Sequence, residues 1–318
     1  MACGGTPGGT FGTMNALRAP RALSVLTPTF DDIGSLKRVR RAGSAGSVAT
    51  LLFLRAWGSL VEGRDPAHIA AETTALALVA TRLGGIDGDV LAQAGLTRAE
   101  CLRVLLRAFD HAAAAIDVAQ RVLLRDALAS APAHAPERAV PPFARALAEQ
   151  PRAGATALGA PRLILEPPES HAEHCAAVAM YGVLAAPRYG ADPATVFLLA
   201  LAHHLHNARL PDAGFAGEEL LGEYLEPIVA SFTSEALRAI PATLAQRIVA
   251  LRPLLREAES PEARAFHAAD VIDRVLQVRH YARVAAFEVS HALDDLDLVH
   301  AGPLQSFHAS VLAEAHLP

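Results

Sequence analysis

The stretch DPATVFLLALAHHLHN, residues 192–207, decides how this chain is read. Asp192 followed by Pro193 has the form of a helix N-cap with proline at the first helical position. The uncharged run PATVFLLALA (193–202) then supplies a buried helix, and His203, His204 and His206 follow it at once. Burying an unpartnered imidazole costs on the order of 1–3 kcal/mol. An apolar helix that ends in three of them delivers nitrogen ligands to a site, and the obvious occupant is a metal ion. The helix is predicted to run to about Asn207.

Outward from this stretch, two others carry the same chemistry: ESHAEH (169–174) and HAADVID (267–273). Ser170 and Glu173 form a capping box, which predicts a helix from His171 to about Ala186. Ser260-Pro261-Glu262 opens a last long helix to about Val289, and a short helix follows near 303–315. Between them, Gly214 breaks the chain, a Glu-rich helix covers about 216–231, and Ser234 to Leu255 is predicted helical with kinks at Pro241 and Pro253. Toward the N-terminus, helices are expected over 51–63, over 68–83 behind Asp65-Pro66, and from the Thr97/Glu100 capping box to Leu128. A weak helix over 143–149 lies between two breaker-rich stretches, 129–142 and 151–162. Strand-like alternation is nearly absent, so the chain is predicted all-α. The expected organisation is a flexible tail over 1–35, a helical N-terminal domain with an Ala/Pro-rich linker over 36–158, and a second domain over 159–318.

Composition narrows the function classes. Net charge is −5 and the sequence pI about 6.3, so no basic surface asks for duplex nucleic acid. Lys37 is the only lysine; with abundant alanine, this arginine preference reads as a coding bias. Cys3, Cys101 and Cys175 form no disulfide framework or CxxC pair, which fits a reducing compartment. No signal peptide is evident, Met14 is an alternative start to Met1, and no apolar run reaches the roughly 20 residues of a membrane span. A cytoplasmic protein with no membrane partner is expected.

In order, ESHAEHCAAVAMYGVLAA, DPATVFLLALAHHLHNA and FHAADVIDRVLQ resemble the HD superfamily of metal-dependent phosphohydrolases, over about residues 165–290. That family reads H…HD…D along an all-α bundle. The resemblance implies that His174, His203 and Asp270 are metal ligands, and that a small phosphorylated molecule or nucleotide is the partner. One departure stands out: His204 occupies the place of the family's central aspartate. Histidine can bind one metal but bridges two poorly, so a single divalent transition metal (Mn, Fe, Co, Ni or Zn) held by His174, His203, His204 and Asp270 is expected. His171, His206 and Arg274 are the candidate catalytic groups for phosphate or proton handling. Asp273 is a further candidate for supporting a ligand or touching phosphate, and Asp212 for replacing the missing carboxylate.

Each residue has a plainer reading. His203 and His204 could cap helix-end carbonyls, His174 could be a core histidine, and Asp270 with Arg274 could be an i, i+4 ion pair. His68, Glu72, Asp110 and His111 are read as structural, and Cys175 as a small buried hydrophobe. The His204 change also favours a second function: a catalytically silent module that binds a nucleotide or a protein partner. A di-iron oxygenase, also found in the superfamily, needs two more histidines before the last aspartate, where this chain has only His267. The first half is left as a dimerisation or regulatory layer, a homodimer being the assembly expected of it.

Overall fold

The computed structural model describes residues 22–43, 45–131, 140–285, 288–295, 299 and 302–318. Among them are fourteen α-helices and no strand, with only three isolated β-bridges. The fold is the all-α helical fold expected. The first six helices are α1 (Leu23–Ser35), α2 (Val48–Val61), α3 (Pro66–Leu83), α4 (Gly88–Gln93), α5 (Arg98–Ala112) and α6 (Val118–Ser130). Then come α7 (Pro142–Glu149), α8 (His171–Tyr189), α9 (Pro193–Ala202) and α10 (Gly214–Leu221). The last four are α11 (Leu225–Leu237), α12 (Ala242–Leu251), α13 (Pro261–Ala285) and α14 (Gln305–Glu314).

The cap signals form as expected. Both capping boxes are complete: Thr97 with Glu100 at α5, and Ser170 with Glu173 at α8. Asp65 accepts from Ala67 N and His68 N, and Asp192 from Ala194 N and Thr195 N.

Five expectations are corrected. The segment expected as a flexible tail contains α1, whose Leu23, Leu26, Phe30 and Ile33 are buried; residues 1–21 lie outside the described residues. The helix expected from 97 to 128 is two, because the chain turns at Ala113–Ala115 and sends Ile116 fully into the core. That turn lets α5 and α6 both pack on α3. The Glu-rich helix divides at Gly222, whose φ of 51° favours glycine, and Pro241 separates α11 from α12 instead of kinking one helix. Finally, α9 stops at Ala202, and Leu205–Ala208 forms a 3-10 turn.

Helix α8 is the axis of the molecule. Every residue from His171 to Ala186 is buried, as suits a helix that is apolar on all sides beyond its first turn. It meets α9 and α13 from the second half of the chain, and α1, α2, α3 and α7 from the first. Close approach to α9 needs Gly182: a Cβ there would lie 2.5 Å from Val196 Cγ1. Against α1, Tyr181 OH donates to Phe30 O (2.6 Å) and the two rings lie 4.8 Å apart. A contiguous buried cluster includes Phe30, Trp57, Leu78, Tyr181, Phe197 and Ile272, drawn from both halves of the chain. No helix among the described residues is long and apolar enough to cross a membrane.

Candidate metal centre

Three helices bring the site together: the first turn of α8 supplies His171 and His174, the turn after α9 supplies His203, His204 and His206, and α13 supplies Asp270, Asp273 and Arg274. Ending α9 at Ala202 lets the imidazoles converge, the His203 and His204 ring centroids lying 4.1 Å apart. A continued helix would place His203 and His204 100° apart on one rod.

The three inner histidines are all held the same way. His174 Nδ1 lies 2.8 Å from Asp273 Oδ2, His203 Nδ1 2.6 Å from Ala200 O, and His204 Nδ1 2.9 Å from Asn207 Oδ1. Each partner is an acceptor, so each Nδ1 carries the proton and donates, which leaves Nε2 as the nitrogen that can ligate. Ligand atoms of His174, His203 and His204 lie within 4.8 Å of one another. His174 Nε2 and His203 Nε2 face each other at 3.2 Å, and Asp270 Oδ1 lies 3.2 Å from His174 Nε2. Facing lone pairs repel unless a cation, proton or metal, sits with them. Metal bonds of about 2.0–2.1 Å put neighbouring ligand atoms roughly 3 Å apart, which these separations match. Metal-binding histidines typically donate their other N–H to a carboxylate or carbonyl, as these do. The donor set therefore fits a divalent transition metal. The helix-cap reading of His203 is also correct, since capping Ala200 is what frees Nε2.

Burial keeps four of the imidazoles neutral. Burial, reinforced by the neighbouring His174, pushes His203 down to about 3, and burial with His203 and His171 holds His204 well below its ordinary value. Burial and the Arg152 charge take His171 to about 2; burial and Arg252 take His206 to about 4. For Asp270, burial alone would raise the carboxyl, and Arg274 together with His174 and His203 outweighs it, holding it well below the carboxylate range. The expected Asp270–Arg274 pair forms at 2.5 Å, buried on the aspartate side instead of solvated.

A cavity of about 320 Å3 opens beside the histidines, lined by His171, His204, His206, Arg152, Arg274 and Glu218 among others. Several polar atoms here are buried without a hydrogen-bond partner: Arg152 Nε, both nitrogens of His171, His206 Nδ1, Arg274 Nε and Asp270 Oδ1. Native proteins leave few such groups, so their concentration at one cavity points to a polar ligand. Asp212 does not join the donor set. Its oxygens accept from Ala153 N (2.9 Å) and Gly214 N (2.8 Å), bracing the loop, and it lies 3.7 Å from His171 Nε2. Glu72 is structural as read, paired with Arg55 and Arg64 at 2.6 Å each. Cys175 is fully buried, and burial pushes its thiol up.

Three residues escaped the sequence reading. Lys37, from the turn after α1, bonds both oxygens of Asp273 (2.7 and 2.8 Å) and Glu169. Glu169 also accepts from Arg152 (3.2 Å), in the loop before α8. The signal for Lys37 was its uniqueness; Glu169 and Arg152 had none, one beside a capping box and the other in a breaker-rich loop.

The profile of the HD domain family matches residues 145–303, half of the chain's 318 residues. This chain belongs to the HD domain family. The match runs from α7 past the end of α13 and includes His174, His203, His204 and Asp270. No curated protein and no solved structure matches the chain. Membership in the HD domain family joins this protein to a superfamily of metal-dependent phosphohydrolases, and the donor set described above is the part of it that could hold the metal.

Proposed function

We propose that this protein is a metal-dependent hydrolase of a phosphoester with a nucleotide-like substrate. The observation that carries this reading is the juxtaposition of the three Nε2 donors and Asp270 with a cavity whose two guanidinium groups keep unpartnered Nε atoms. His174, His203, His204 and Asp270 hold one divalent ion, from among Mn, Fe, Co, Ni and Zn. When bound, such an ion polarises a phosphoryl oxygen and lowers the pKa of water.

The chain's own groups do the rest. Arg152 and Arg274 present planar forks that match the oxygens of a phosphoryl group. Because Arg274 is anchored on Asp270 at 2.5 Å, the phosphate it binds is placed against the donor set. His171 and His206, held neutral by burial, stand at the cavity wall, where each ring can hydrogen-bond the attacking water or a phosphoryl oxygen and so orient it. Glu218 and Phe215 also line the cavity.

The His204 position supports a second reading, a silent module that binds a nucleotide or protein partner without turnover. Metal content by mass spectrometry, wild type against His203→Ala, separates the two. About one transition metal per chain, lost in the variant, followed by turnover on a phosphoester panel with Mn, Co or Fe, supports the hydrolase. A metal-free wild type after metal loading sinks it.

A further inference from the structure

Of the 28 basic residues in this chain, 27 are arginine and one is Lys37. That lysine is 4% exposed, and it stands at the centre of the polar core. Its ammonium has three N–H donors, and three carboxylate oxygens meet it: Asp273 Oδ1 at 2.7 Å, Asp273 Oδ2 at 2.8 Å, and Glu169 Oε1. A compact point charge suits this triangle; a planar guanidinium on a longer stem does not. Asp273 Oδ2 has a second duty, accepting His174 Nδ1–H at 2.8 Å. Glu169, Asp273 and His174 are themselves grouped closely enough to hold a cation, and the ammonium is the cation they have.

We propose that Lys37 is a positioning residue of the metal centre: it clamps Asp273 between α1, α8 and α13 so that Asp273 holds the His174 ring with Nε2 turned toward His203. The inference rests on the metal-site reading, and it assigns to the first half of the chain a part in a site that the HD domain match places in the second. Without the ammonium, Asp273 loses both of its lysine bonds and faces Glu169 with no shared counter-charge. A neighbouring cavity of about 220 Å3, lined by Lys37, Asp273, Tyr181 and His280, gives the carboxylate space to turn away. The His174 ring then has no fixed acceptor at Nδ1.

The test uses the full chain, metal-free and labelled with 15N-histidine, in three forms: wild type, Lys37→Met, and Lys37→Met/Glu169→Gln. The double variant removes a carboxylate with the ammonium, so it leaves less unpaired charge in the core if the single variant does not fold. Wild type is expected to show a slowly exchanging His174 Nδ1–H resonance, assigned by its loss in His174→Gln. Either folded Lys37 variant is expected to lose it, while the corresponding His203 signal stays. Titration with Zn2+ alone is expected to give a dissociation constant 10–100-fold weaker, the range for losing a group that supports a metal-bound histidine. A folded variant with the resonance intact and zinc affinity within twofold of wild type overturns the proposal. A wild type that binds no zinc defeats the metal-site reading instead, while the resonance still decides the role of Lys37.

Discussion

Adding a divalent metal should raise the melting temperature of this protein, and His203→Ala should abolish that rise. A ligand that binds only the folded chain stabilises it by about 2.7 kcal/mol at a hundredfold excess over its dissociation constant. At about 2.1 cal/mol/K per residue, 318 residues give an unfolding entropy near 670 cal/mol/K, so the shift is about 4 °C. The substitution has its own cost, which must be separated from this. It removes a helix-capping bond to Ala200 and a buried ring packed edge-on against Phe266 at 5.2 Å. Together these are worth about 2–4 kcal/mol, which lowers the metal-free melting temperature by about 3–6 °C. The relevant quantity is therefore the metal-induced increment, measured by calorimetry with and without Zn2+ or Mn2+ for each protein. An equal increment in wild type and His203→Ala, or none in wild type, would refute the assignment of His203 Nε2 as a ligand.

Four other outcomes are expected. Arg152→Gln should weaken binding of inorganic phosphate by about tenfold or more, since a charge-assisted bond is worth about 1.5–3 kcal/mol; unchanged affinity by titration removes Arg152 from the phosphate site. Phosphate at saturation should tighten zinc binding about 5–150-fold, and zinc should tighten phosphate by the same factor, so a unit ratio in calorimetric titrations contradicts the coupling. For Asp273, burial raises the carboxyl and Lys37 with His174 outweighs it, so its folded value lies below 3.8; Lys37, lowered by burial but raised more by Asp273 and Glu169, lies above 10.5. Their stabilisation is thus present from about pH 4 to about pH 10.5 and is lost as pH falls through the one folded value or rises through the other; urea midpoints for Lys37→Met should lack the alkaline loss that wild type shows. A fragment beginning at residue 159 removes α1, α2, α3 and α7 from α8 and uncovers Tyr181, so it should show no cooperative thermal transition by circular dichroism.

Local signals in the sequence are those the structure honours most faithfully. Thr97 with Glu100, Ser170 with Glu173, Asp65-Pro66 and Asp192-Pro193 each need only neighbours within three or four residues, and each forms. The order of His174, His203–His204 and Asp270 was legible for a similar reason: an apolar helix that ends in imidazoles is unusual in any context. What failed was non-local. Pro28 and the surrounding threonines argue against a helix at 23–35, but Leu23, Leu26, Phe30 and Ile33 bury one stripe against α8 and override that propensity. The contacts of Lys37 reach across 132 and 236 residues, so no spacing rule finds them, and rarity alone does not tell a buried role from a coding bias. Asp212 was near His206 in sequence, yet backbone amides of its own loop hold its oxygens.

Charge balance at the site explains what His204 changes. Asp270 is matched by Arg274; Asp273 and Glu169 are matched by Lys37 and Arg152; and the imidazoles of His203 and His204 are held neutral. The polar core is thus near neutrality with no ion bound. A dication brought into it adds two positive charges in a low-dielectric setting, where uncompensated charge is costly. An aspartate in place of His204 would offset one of them permanently. With histidine there, compensation must come from outside the chain, and the cavity beside His204 is the place from which an anion can reach the ion. Arg152 and Arg274 already neutralise carboxylates, so a phosphate between them gains most when the metal is also present. On the proposed reading, metal and phosphate are expected to bind as a pair, each raising the affinity for the other, so that a zinc titration without phosphate would report only the weaker half of the site.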